Sequence, residues 1–213
     1  NSRFFELMFV LDNKSTDATR EILLACAREL GNVVIADLPR SDYAQSTFMT
    51  QALNFVQSVC FADVLFFLDA DEFIDSPSRE HLLRSVETIP VGSAGMMAWR
   101  TLIPDPSVVE AGEVDLVKYL TLQRTTERPQ FFKQALRLGG RVPRDVLVDM
   151  GNHGFRDASG CAVAAVSLDQ TPLRHAPVRS ASQAITKGVN GWAAHLARGV
   201  DIATEGFQWK RLH

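Results

Sequence analysis

The sequence predicts an α/β domain, a mainly parallel sheet flanked by helices, and two observations predict it. The first is the run Val64-Leu65-Phe66-Phe67-Leu68, which ends abruptly in Asp69-Ala70-Asp71-Glu72. Five apolar residues without polar alternation, too few for a membrane helix, read as a strand covered on both faces, as in a parallel sheet. The second is the order strand, helix, strand between Phe4 and Ala36, which implies a right-handed crossover. In open α/β sheets ligands bind beyond the carboxyl ends of the strands, and Asp69, Asp71 and Glu72 sit at such an end.

Each element has a local cause. Phe4 to Leu11 is an apolar strand that ends in Asp12-Asn13-Lys14-Ser15-Thr16-Asp17, residues suited to a tight turn and a helix N-cap. The helix that follows carries Ile22, Leu23, Cys26 and Leu30 on one stripe, with Gly31 placed to end it. Val33 to Ala36 is a short strand. Ser41 or Asp42 caps a second helix whose stripe is Phe48, Ala52, Phe55, Val56 and Val59. Ser76-Pro77 opens a third helix, to Val86, and Ala94 to Arg100 is a further strand.

From Ile103 to Gln130 prolines and scattered charges erase any period, so a long loop is expected, of the kind that covers a site or is a plain surface insertion. Phe131 to Leu138, Val142 to Val148 and Cys161 to Leu168 are short strands, with the glycine-flanked Gly151-Asn152-His153-Gly154 between the last two. A final helix starts at Ser180 or Ser182, with Ala181, Ile185, Val189, Trp192 and Leu196 inward and Arg179 and Lys187 at its start and second turn. Residues 1–100 then form a ligand-binding half, and 101–213 the loop, late strands and last helix of the same domain.

Composition narrows the partners. The 213 residues are 46% hydrophobic and 22% charged, as in an ordinary globular chain. With 22 basic and 25 acidic residues, a net charge of −3 gives no bulk attraction to nucleic acid or anionic membrane. No apolar run approaches a membrane span. Cys26, Cys60 and Cys161, scattered among apolar neighbours, suit free thiols in a reducing compartment, hence a cytoplasmic location.

Three carboxylates within four positions repel one another, and a hard divalent cation with oxygen ligands is the simplest compensation. Residues two apart on a straight strand lie roughly 7 Å apart, so Asp69 and Asp71 share one ion only if the chain turns at Ala70. The plain alternative is a solvated turn after a buried strand.

Three stretches together resemble a known family. Val10-Leu11-Asp12-Asn13-Lys14-Ser15-Thr16-Asp17-Ala18-Thr19 resembles the "DNGSTDGT" segment of family 2 glycosyltransferases, with Lys14 in place of a glycine. Phe67-Leu68-Asp69-Ala70-Asp71-Glu72-Phe73 resembles the D-x-D motif in its "DADEF" form. Leu173-Arg174-His175-Ala176-Pro177-Val178-Arg179-Ser180, with Lys187 beyond, resembles that branch's "HYPVRS…K" segment, with Ala176 in place of a tyrosine. The resemblance implies a GT-A fold, a nucleoside-diphosphate sugar donor (a UDP-sugar favoured) and Mg²⁺ or Mn²⁺. It also implies a glycan or lipid-linked acceptor, which leaves peripheral association with the inner face of the membrane open. The first strand of that fold is absent from the sequence, so a fragment or a lost N-terminus is expected.

By the same resemblance Asp12, with Asn13 and Asp17 in its segment, meets the nucleotide. Asp69 meets the ribose or a metal-bound water, Asp71 is the metal ligand, and a late histidine, His153 or His175, adds a third metal contact. Arg179 and Lys187 are candidate cations for the diphosphate, or solvated helix positions. An inverting enzyme needs a carboxylate base near the acceptor hydroxyl, and Glu72, Asp105, Glu110 and Glu113 are the candidates. A GT-A-like domain that binds nucleotide sugar or glycan without turnover is the alternative. A nucleotidyltransferase would show a glycine- and arginine-rich phosphate loop near the start, and a phosphohydrolase later lysine and Ser/Thr motifs, and neither set is found.

Overall fold

The computed structural model describes residues 1–38, 45–60, 62–105, 120–139 and 146–178, with helical backbone at 185–186 and 188–189. The chain divides into two units: Asn1–Leu68 with Phe73–Ala98 and Phe132–Pro172, and Asp69–Glu72 with Trp99–Phe131 and Leu173–His213.

The first unit begins with the expected crossover. Strand β1 (Met8–Asp12) and strand β2 (Val33–Asp37) pair in parallel, from Met8 opposite Val33 to Asp12 opposite Asp37. Helix α1 (Thr19–Leu30) joins them. Its first turn is fixed by Asp17, whose Oδ1 accepts from the Thr19 amide at 3.0 Å. Gly31 ends it in the left-handed region (φ 73°), a conformation that costs a side-chain-bearing residue about 1–2 kcal/mol.

Helix α2 (Gln45–Val59) buries Phe48, Leu53 and Val56. Phe55 and Val59, expected on its inward stripe, are each 55% exposed, and Ile22 on α1 is 60% exposed. α2 packs with Leu53 into a core with Val146, Val148 and Phe155, which leaves Phe55 and Val59 away from that contact. Phe55 keeps an edge-on contact with Phe9, ring centres 6.0 Å apart. The capping positions Ser41 and Asp42 lie outside the described residues.

Next come β3 (Val64–Phe66), β4 (Glu72–Ile74), helix α3 (Arg79–Glu87), β5 (Ala94–Ile103), β6 (Leu122–Gln123) and β7 (Phe132–Arg137). Helix α3 starts at Ser78, two residues later than expected, because the Ser78 hydroxyl accepts from the His81 amide at 3.2 Å. Strand β3 departs from expectation more sharply. Its neighbour is antiparallel β7, with Val64 opposite Arg137 and Phe66 opposite Ala135. A continuous apolar run demands cover on both faces but says nothing of the neighbour's direction. Here the cover is partial: Val64, Leu65 and Phe66 are half-buried, while Phe67 enters a core with Leu53, Ala94, Leu136, Leu138, Val146, Val148 and Phe155, and Leu65 packs against it.

Strands β8 (Leu147–Val148) and β9 (Phe155–Arg156) form an antiparallel pair, and β10 (Ala165–Ser167) runs parallel to Ala94–Met96 of β5. The Val148 amide donates to Thr50 Oγ1 of α2 at 3.0 Å, which ties the helix to that pair. β7 lies antiparallel along the same stretch of β5, Ala94 opposite Leu136 and Ala98 opposite Phe132.

In the second unit the remainder of β5, from Trp99, is flanked by β11 (Leu173–His175), parallel and in register with Trp99–Thr101. β6 pairs antiparallel with its end, Ile103 opposite Leu122. Part of the expected 103–130 loop is therefore strand. Of the final helix, Ile185 and Val189 are described; they are 67% and 51% exposed, not inward, while Ala181, Trp192 and Leu196 lie outside the described residues. No helix of the described residues is long and apolar enough to cross a membrane.

One glycine in β5 marks the tightest packing. A Cβ at Gly95 would stand 2.5 Å from Ile89 Cδ1 and 2.7 Å from Leu168 Cδ1, in a core that cannot open cheaply. Gly95→Ala is expected to lower the unfolding free energy by about 1–3 kcal/mol in urea titration; an unchanged midpoint would show that this core yields.

Candidate functional site

The three carboxylates after β3 are separated by a turn. The Asp69 carbonyl accepts from the Glu72 amide at 3.1 Å, which closes a β-turn over Ala70 and Asp71. Glu72 Oε2 in turn accepts from the Asp69 amide at 2.9 Å. The two residues thus satisfy each other's backbone reciprocally, as in a helix capping box. The chain does turn at Ala70, as sharing of one ion by both aspartates would need.

Glu72 is fully buried. A base must reach an acceptor hydroxyl, and a carboxyl group enclosed here and bonded to the Asp69 amide is placed to hold the turn instead. Glu72, expected among the candidate bases, is thus enclosed and bonded to the Asp69 amide.

Asp71 is fixed from the other side. Its carbonyl accepts from the Ala176 amide at 2.8 Å, just past β11. This bond brings the D-x-D turn to the end of β11, where His175 Nε2 lies 3.8 Å from Asp71 Oδ1. Both side chains are mostly enclosed, 12% exposed for His175 and 13% for Asp71.

The other histidine is engaged elsewhere. His153 Nδ1 donates to the Phe132 carbonyl at 2.8 Å. Its Nε2 edge packs against Gly151, where a Cβ would come within 2.8 Å of that nitrogen. Gly151 is held there by Lys133, a fully buried lysine whose Nζ donates to the Gly151 carbonyl at 2.7 Å. His153 thus belongs to the packing of the glycine-flanked segment, and His175 is the histidine beside a D-x-D carboxylate.

Could these residues hold a divalent ion? Among the described residues no three His, Cys, Asp or Glu side chains are grouped to do so by themselves. Asp71 and His175 make a pair, and a separation of 3.8 Å suits two ligands of one ion, since atoms bonded at about 2.1 Å lie roughly 3–4 Å apart in one shell. Mg²⁺ keeps waters and binds through one or two carboxylates plus substrate phosphates, the part Asp71 can fill, while an imidazole suits a transition ion better. The pair fits a cation completed by a diphosphate.

The nucleotide segment sits at the end of β1 in the first unit. Asp12 is buried, and its Oδ1 accepts from the Ser15 amide at 3.2 Å and from the Ser15 hydroxyl. Arg20 Nη1 stands 4.0 Å from Asp12 Oδ2 and pairs with Asp37. Lys14, in the place of a glycine, adopts φ 56°, the left-handed conformation in which glycine is least strained. Asn13 is exposed. The Thr19 hydroxyl and amide bonds hold the Asp17 carboxyl below the usual carboxylate range, one residue before the Ala18 N-cap.

Asp105 is half-buried two residues beyond β5, while Glu110, Glu113, Arg179 and Lys187 lie outside the described residues. Two residues of the second unit were missed by sequence reasoning. Glu127 accepts from the Thr101 amide at 2.6 Å and hydroxyl at 3.1 Å, and Arg124 stands 3.5 Å from it. It anchors the segment before β7 to the strand position opposite His175. Trp99 stacks on the His175 ring, centres 4.0 Å apart. Both contacts join residues far apart in sequence, so no local pattern announces them.

The family model "Glycosyl transferase family 2" matches residues 3–133, more than half of the chain. The chain belongs to glycosyltransferase family 2, and with it to the GT-A fold. Glycosyltransferase chemistry in general follows from that membership. No curated protein gives a significant match.

If the Glu72 clasp holds the turn, the side-chain oxygen matters more than its charge. Glu72→Gln keeps an acceptor for the Asp69 amide, whereas Glu72→Ala leaves that amide without it. Glu72→Ala is expected to cost about 1–3 kcal/mol more than Glu72→Gln in denaturant unfolding. Equal losses would mean the bond adds nothing.

Proposed function

We propose that this chain moves a sugar, with inversion, from a nucleoside-diphosphate sugar to a hydroxyl of a glycan or lipid-linked acceptor, with UDP as the favoured nucleotide. The observation that carries the reading is the Asp71–His175 pair at the end of the D-x-D turn. A bound Mg²⁺ or Mn²⁺ would stabilise the negative charge that builds on the diphosphate as the sugar–phosphate bond breaks. Asp71 and His175 are the residues that would hold it.

The chain's own groups supply the rest. The Asp69–Glu72 clasp keeps the carboxylate of Asp71 turned toward His175, so no reordering is spent when donor arrives. Asp69 is assigned the ribose or a metal-bound water, and Asp12 the base of the nucleotide, with Asn13 and Asp17 shaping that segment. Arg179 and Lys187 are assigned the diphosphate. A single cation about 4 Å from one of its charges contributes about 4 kcal/mol at an effective dielectric near 20. The acceptor's proton goes to a carboxylate after β5, Asp105 or Glu110, since Glu72 is enclosed. A cytoplasmic location, at the inner face of the membrane where acceptors are lipid-linked, completes the proposal.

Calorimetric titration of UDP, then GDP, with and without Mn²⁺ tests it. The unsubstituted chain is expected to bind UDP in a metal-dependent manner, and Asp71→Ala to weaken that binding by more than about tenfold, about 1.4 kcal/mol. Binding that ignores the metal, or no binding of either nucleotide by a folded sample, would overturn it. Metal-dependent binding without sugar transfer to any acceptor would leave a donor-binding domain in place of an enzyme.

A further inference from the structure

We infer that Trp99 is a positioning residue for the cation site: by stacking on His175 it fixes the plane of the imidazole that faces Asp71. The inference rests on the donor-site reading above and adds to it a residue outside all three motifs.

Register explains the contact. β5 and β11 run parallel with Leu173 opposite Trp99 and His175 opposite Thr101. Side chains two apart on a strand share a face, so Trp99 and His175 are diagonal neighbours on one face, within reach of a large ring. The rings lie 4.0 Å apart between centres with 27° between planes, a stacked pair. An imidazole covered this way loses the stack if it tilts out of its plane. The stack thus holds the ring in the plane in which Nε2 lies 3.8 Å from Asp71 Oδ1.

Trp99 is itself braced. Phe131 packs against the indole at 5.4 Å, tilted 49°. The Trp99 amide donates to the Phe131 carbonyl at 3.0 Å. Gln130 Nε2 donates to the carbonyls of Trp99 and Phe131 at 3.1 and 2.8 Å. These bonds fix the backbone at Trp99 and Phe131, and the indole itself meets the Phe131 and His175 rings. Partners that orient a metal-binding histidine usually do so by hydrogen bond; here an aromatic face supplies the same restraint, and such outer partners typically alter metal affinity by about 10- to 100-fold.

The test is Mn²⁺ affinity at saturating UDP, read from the free-ion signal in electron paramagnetic resonance, with thermal unfolding measured alongside. Trp99→Leu removes the stack and is expected to bind Mn²⁺ about 10- to 100-fold more weakly. Trp99→Phe keeps an aromatic face and is expected to stay close to the unsubstituted chain at matched stability. Phe131→Leu loosens the brace without touching the stacked pair; it is expected to weaken Mn²⁺ in the same direction, and it carries the test should Trp99→Leu fail to fold. Unchanged affinity in folded Trp99→Leu, unchanged affinity in Phe131→Leu where Trp99→Leu does not fold, or a loss in Trp99→Phe as large as in Trp99→Leu, overturns the positioning role alone. Failure of the unsubstituted chain to take up Mn²⁺ with UDP overturns the donor-site reading and this inference with it.

Discussion

Three carboxyl groups within four residues repel unless the chain separates them, and the reciprocal bonds between Asp69 and Glu72 are how this protein does so. One carboxyl is bonded to the backbone and enclosed, which separates it from those of Asp69 and Asp71. The turn that results also sets the direction in which Asp71 points. Its carbonyl is tied to Ala176, so the residue before it, His175, arrives beside the Asp71 side chain. The clasp and the Ala176 bond together place Asp71.

The second unit is built to keep that arrangement rigid. β11 lies along β5, and the stacked Trp99 and Thr101–Glu127 contacts occupy consecutive same-face positions of β5. Glu127 secures the segment that leads into β7, while Phe131 and Gln130 secure Trp99. Strands place side chains more firmly than loops do, and a site that stabilises developing charge gains from groups that need no reordering. The loop residues contribute by bracing strand residues.

Sequence reading reached those parts of the fold whose causes are local. The βαβ unit, Asp12 at its strand end and Gly31 in the left-handed cap all follow from neighbouring residues, whereas the turn at Ala70 stood only as a condition for sharing an ion. The family relation followed from three short segments and is carried by residues 3–133. What escaped is long-range. Nothing in Val64–Leu68 says that its neighbour is antiparallel β7, because an apolar run specifies burial and not direction. The enclosure of Glu72, the Thr101–Glu127 clasp and the Trp99–His175 stack each require knowing which strands lie side by side. The two candidate histidines could not be told apart by spacing; their surroundings differ in contacts that sequence does not show, the Phe132 carbonyl and Gly151 at His153 and Asp71 at His175.

The central claim, that Asp71 and His175 together hold the cation for the donor diphosphate, is tested most directly by diffraction from crystals grown with UDP and Mn²⁺, using the anomalous signal of manganese. The account predicts one manganese peak at coordination distance from both Asp71 Oδ1 and His175 Nε2, with diphosphate oxygens completing the shell. A peak bound to His153, or one that leaves either Asp71 or His175 uncoordinated, would contradict it.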